Sequence, residues 1–174
     1  MNRFSIDAYD IHWLTRKDDP EDRCLHGHAV AKIGDNIIEY DCTISATAMY
    51  LLKSLNNNKT KDDPYQMLPC CGHFYIPNDL LTDVYIDGCD NGEDWEVIHV
   101  DGGVELIYEG DSEFVSMDVY KKEVFAFCDK IKEYYDSSLP KVFPDEEDEF
   151  TKRGYIAYWN EWNRRRKELP HIYR

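Results

Sequence analysis

Near the start of the chain Phe4, Ile6 and Ala8 alternate with polar neighbours, the period-two signature of a strand with one buried face. Two β-prone runs, Arg23 to Ile33 and Ile37 to Cys42, flank the turn residues Gly34-Asp35-Asn36, which predicts a hairpin. Lys17-Asp18-Asp19-Pro20-Glu21-Asp22 reads as a loop ahead of it. Ser45 then stands where an N-cap belongs, before Ala46, Ala48, Met49, Leu51, Leu52 and Leu55, and Asn56-Asn57-Asn58 ends the pattern. This predicts a short, strongly apolar helix buried against the sheet. Strand patterns return at Phe74-Tyr75-Ile76, Asp83 to Asp87 and Trp95 to Val100, and Asp101-Gly102-Gly103 turns the last run into Val104 to Tyr108. Alternation in that pair predicts an antiparallel hairpin with one solvated face.

After Ser116 the period changes. Tyr120, Val124, Phe127, Ile131 and Tyr134 recur at alternating steps of four and three, one stripe of an amphipathic helix. Pro140 and Pro144 punctuate a loop, and a final helix is expected to carry Tyr155, Tyr158, Trp159 and Trp162 on one side. Strands first and helices last predict an α+β fold: an antiparallel sheet from N-terminal and central hairpins, one short buried helix and two longer C-terminal helices. With 174 residues, 43% of them hydrophobic, the chain suffices for one core, so residues 1–174 are expected to form a single domain. No basic-then-apolar leader opens the chain, and no run approaches the ~18 apolar residues of a membrane span. A cytoplasmic protein with six reduced cysteines is the expectation.

Charge sharpens the picture. The net charge is -15, yet Lys152 to Arg174 holds seven Lys or Arg against two acids. Self-repulsion of this size creates a long-range negative field that attracts basic partners and disfavours nucleic acid and membrane surfaces. Arg164, Arg165 and Arg166 are expected to complement a helix C-terminus and pair with the protein's own acids. The run Asp145, Glu146, Glu147, Asp148 and Glu149 reads as a solvated loop and is the candidate contact for a basic partner.

Two Cys/His clusters carry candidate chemistry: Cys24-Leu25-His26-Gly27-His28 and Cys70-Cys71-Gly72-His73. On strands, Cys24, His26 and His28 would share a face, as would Cys71 and His73. Side by side, the two segments would surround a tetrahedral Zn²⁺, although the spacing is not that of the usual zinc modules. The competing reading makes Cys24, Cys42, Cys70 and Cys89 small core fillers and needs no cofactor. Cys71 with His73 is also a conceivable nucleophile and base, but a negative field raises a thiol pKa. No serine elbow, phosphate-cradling loop or dinucleotide fingerprint occurs, and Gly88 to Asp94 reads as a turn rather than a calcium loop. The sequence therefore points away from an enzyme.

Gly88-Cys89, Gly92-Glu93-Asp94-Trp95-Glu96-Val97-Ile98-His99, Tyr120-Lys121-Lys122-Glu123-Val124, Tyr134 to Lys141 and Tyr158-Trp159-Asn160-Glu161-Trp162 resemble uncharacterised bacterial proteins encoded beside polymorphic or contact-dependent toxins. Cys24-Leu25-His26-Gly27, Ser45-Ala46-Thr47-Ala48 and Leu68 to His73 are similar to the same group. The resemblance implies an immunity protein and transfers no catalytic residue. The expectation is an acidic protein that covers a basic toxin domain, with exposed Tyr and Trp as anchors. A Cys/His zinc-binding protein, with hydrolysis as its candidate activity, is the alternative.

Overall fold

The computed structural model describes residues 3–72, 74–144 and 148–168. It is an α+β fold of ten strands and three helices among the described residues. β1 (Phe4–His12), β2 (His26–Ile33) and β3 (Asn36–Cys42) form an antiparallel sheet in that order. Phe4, Ile6, Ala8, Gly27, Ala29, Ala31, Ile33, Ile38 and Cys42 are its buried residues, so the alternation read in β1 sets which face turns inward. The β2–β3 hairpin closes through Gly34-Asp35, with Ile33 opposite Asn36.

α1 (Ile44–Ser54) follows directly and is buried on nearly every side, only Lys53 excepted. A helix apolar all round belongs in the middle of a core. Tyrosine hydroxyls tie it to its surroundings. The Tyr158 hydroxyl donates to the Ser45 carbonyl at 2.8 Å, the Tyr50 hydroxyl to the Ile86 carbonyl at 3.3 Å, and the Tyr120 hydroxyl lies 2.7 Å from the Ser54 hydroxyl. Thr43, rather than Ser45, is the N-cap residue. Ser45 lies inside the helix and its hydroxyl accepts from the Leu25 amide at 3.2 Å, so burial against the β2 segment claims the side chain that an exposed N-cap would have used.

β4 (Leu68–Pro69) pairs with β7 (Gly92–Glu93), and β5 (Phe74–Pro77) with β6 (Val84–Asp87), both antiparallel. β8 (Glu96–Val100), β9 (Gly103–Tyr108) and β10 (Asp111–Ser116) form a second three-stranded sheet. The β8–β9 hairpin is the one expected. β10 lacks the apolar alternation of its neighbours because Asp111, Ser112 and Phe114 are exposed and only Val115 is buried.

α2 (Met117–Ser137) starts after Ser116 and buries Tyr120, Val124, Phe127 and Ile131, with Tyr134 half-buried at the edge of the stripe and Tyr135 fully covered. α3 (Glu149–Arg165) lays Tyr158 and Trp162 into the core with Tyr155 and Trp159 half-buried beside them. Its close seat on β5 depends on Gly154, since a Cβ there would stand 2.0 Å from the Tyr75 carbonyl oxygen. Glu161 locks the same interface. Fully buried, it accepts from the Val84 amide and from Arg165 Nε, each at 2.7 Å, with Lys53 Nζ at 3.6 Å. The C-terminal arginines pair with the protein's own acids as expected: Arg165 with Glu161, Arg164 with Asp83 and Glu168, Arg166 with Asp129.

Candidate functional site

The β4–β7 ladder brings Cys70-Cys71 and the segment that carries Cys89 together. Leu68 faces Glu93, Pro69 faces Gly92, and the Cys70 amide donates to the Asn91 carbonyl at 3.0 Å. Cys70-Cys71 thus runs alongside Cys89 to Asn91. The approach is tight because residue 88 is glycine: a Cβ there would stand 2.5 Å from the Cys71 carbonyl oxygen. The result is a cluster in which the sulfur atoms of Cys70, Cys71 and Cys89 all lie within 4.8 Å of one another. The Cys89 amide donates to Cys71 Sγ at 3.0 Å and the Asn91 side-chain amide to Cys89 Sγ at 3.8 Å. Hydrogen bonds from the Cys70 and Cys71 thiols hold the Cys89 thiol down at about 7, and the same Cys89 contact pushes Cys70 up to about 12. The arrangement favours the thiolate form of Cys89 over that of Cys70.

All three thiols are half-buried, which corrects the expectation that Cys70 and Cys89 fill the core. Cys24 and Cys42 do fill it, and burial pushes each thiol up to about 12. Cys128 is buried as well, its Sγ 3.6 Å from the Ala48 carbonyl.

A cleft of about 700 Å³ opens beside the cluster, with Cys70, Cys71, Cys24 and His26 on one side and Phe150, Thr151 and Tyr155 of α3 on the other. The two Cys/His segments therefore do meet. Their side chains are nevertheless put to different uses. Cys24 precedes β2 rather than lying in it, and its thiol donates to the Tyr75 hydroxyl at 3.7 Å. His28 faces outward, with Nδ1 2.8 Å from Asp41 and Nε2 3.8 Å from Glu39, and the Asp41 hydrogen bond holds its pKa above the usual value. His26 lines the cleft and also a smaller cavity of about 250 Å³ that includes His12, His28 and Cys70. Cys71 belongs to the thiol cluster, while His73 lies outside the described residues. Among the described residues, the three cysteines are the grouping whose ligand atoms converge. The sequence reading places Cys70 and Cys89 among the core fillers rather than with Cys71, because the ladder that joins them is two residues long and leaves no periodic trace.

A second feature lies on the β5–β6 ribbon. Tyr75, Val84 and Ile86 point inward, leaving Phe74, Ile76 and Tyr85 on the outer face with Asp87 opposite Phe74. Phe74 is 64% exposed, and Leu80 at the ribbon tip is 79% exposed beside Asp79. The four tryptophans supply no such exposed anchor: Trp13, Trp95 and Trp162 are buried and Trp159 is packed against the core. Of the acidic run, Asp145, Glu146 and Glu147 lie outside the described residues. Asp148 caps α3, accepting from the Thr151 amide at 2.9 Å, and Glu149 sits 3.4 Å from Lys152.

No helix among the described residues is long and apolar enough to cross a membrane. Comparison with protein-family models, with curated proteins and with solved structures finds nothing that matches this chain.

Proposed function

We propose that this chain is a cytoplasmic acidic binding protein that neutralises a basic protein partner by covering it, as an immunity protein covers a toxin domain. The observation that carries this reading is the way charge is distributed on the folded chain. Arg164, Arg165 and Arg166 are spent on internal acids, and Asp87, Asp90, Asp101, Glu109, Asp111 and Asp118 are exposed and in no ion pair among the described residues. Lys17, Lys61, Lys122 and Arg153 are exposed outside the ion pairs as well, but with a net charge of -15 the acids stay in excess. The outer face of the β5–β6 ribbon adds apolar anchors inside this acidic field, the combination that gives fast encounter and slow release. Occlusion asks for no catalytic group, and the reading invokes none.

Co-expression tests it. A bacterial host producing a basic toxin domain, chosen from a panel that includes any encoded next to this gene, should grow when the wild-type chain is present. Replacing Ile76 and Tyr85 together by serine should abolish rescue and weaken the complex by about 30-fold, the scale of losing one interface hot spot, while the circular dichroism spectrum stays unchanged. Failure of the wild-type chain to bind any such domain would overturn the proposal.

A further inference from the structure

Cys70, Cys71 and Cys89 are three soft donors drawn from two chain segments and held by a β-ladder on one side and a close glycine approach on the other. We propose that these three cysteines bind one Zn²⁺ as thiolates, with its fourth position open to the cleft that Cys70 and Cys71 line. This donor set differs from the mixed Cys/His set that the sequence suggests, and it does not depend on the partner reading.

The geometry supports it in three ways. Zn–S bonds of about 2.3 Å in a tetrahedron place sulfur atoms about 3.8 Å apart, so ligands already within 4.8 Å of one another need shifts of no more than about 1 Å. The sulfurs also have the outer contacts that orient metal thiolates: the Cys89 amide on Cys71 Sγ and the Asn91 side-chain amide on Cys89 Sγ. Finally, the cluster is half-buried rather than sealed in the core, which leaves an ion a way in. Each thiol gives up its proton to solvent as the metal binds. A disulfide between the adjacent Cys70 and Cys71 is disfavoured by ring strain.

Reduced full-length protein, stripped with a chelator and titrated with Zn²⁺ against a chromophoric competitor, should take up one ion per chain. Cys71→Ser and Cys89→Ser should each lower the affinity at least 100-fold, and Cys24→Ala, which alters another thiol of the same cleft, should leave it within twofold. A second measurement needs no variant: bound Zn²⁺ should protect Cys70, Cys71 and Cys89 from iodoacetamide in the native wild-type protein, read by peptide mass spectrometry. Substoichiometric uptake, undiminished binding after all three cysteines are replaced, or absence of protection would overturn the site.

Discussion

Cys89 and Cys24 show how far one residue type diverges with its surroundings. Hydrogen bonds from neighbouring thiols bring Cys89 down to about 7, whereas burial takes Cys24 and Cys42 up to about 12. In metal-free protein at pH 8, Cys89 should therefore be the first thiol alkylated by iodoacetamide and the two core thiols the last, since thiolate fraction and access set the rate. Comparable labelling of Cys24 and Cys89 would contradict this ordering. His28 offers a pH test. Its pKa is raised by the Asp41 hydrogen bond, with Glu39 adding to the effect. A raised folded-state value means that the stabilising contact is complete below the unfolded histidine pKa of about 6.5 and is lost as pH rises through the folded value. Asp41→Asn should move the His28 titration, followed by NMR, downward. An unmoved titration would remove the pair from the account. At this scale the sequence was legible where chemistry is local, as in the Ser116 helix start, and misleading where burial intervenes. Ser45 reads as a cap by composition, but its hydroxyl is drawn to the Leu25 amide.

Among the elements, α3 shows packing overruling intrinsic preference. Alanine favours a helix interior over glycine by about 1 kcal/mol, so Gly154→Ala would stabilise an isolated α3. In the fold the added methyl would meet the Tyr75 carbonyl at 2.0 Å, and backbone cannot yield as a flexible side chain does. Overpacking of this kind costs about 1–3 kcal/mol, so the urea midpoint of Gly154→Ala should fall, and a rise would show that α3 does not sit against β5 as described. Glu161→Ala should be harsher, at about 3–5 kcal/mol, because it strands Arg165 and Lys53 without their buried counter-charge. A loss under 1 kcal/mol would mean that water already compensates those cations. The strongly periodic elements, β1, the β2–β3 and β8–β9 hairpins, α2 and α3, were legible because hydrophobic spacing alone determines which face is covered. β10 and the β4–β7 ladder were not. Each depends on a partner strand for its existence, and the thiol cluster built on the ladder was hidden with it.

For the whole molecule, charge is the property that the sequence announces and the fold organises. The sequence reads the arginines near the basic end as partners for the protein's own acids, and folding brings Asp83, Asp129 and Glu161 to Arg164, Arg166 and Arg165, which leaves the excess of acids uncancelled. Aromatic anchors could not be assigned from composition, since the tryptophans go to the core, and among the exposed aromatics, which include Tyr9, Phe114 and Phe150, Phe74 and Tyr85 share one face of an alternating ribbon. The central claim is that this field and ribbon serve to capture a basic partner. Its most direct measurement is the association rate with the basic toxin domain that the co-expression test selects, as ionic strength rises from ~0.01 to ~0.15 M, shrinking the Debye length from ~30 to ~8 Å. The account predicts an on-rate that falls at least tenfold while the off-rate changes less than twofold. An on-rate indifferent to salt would contradict it.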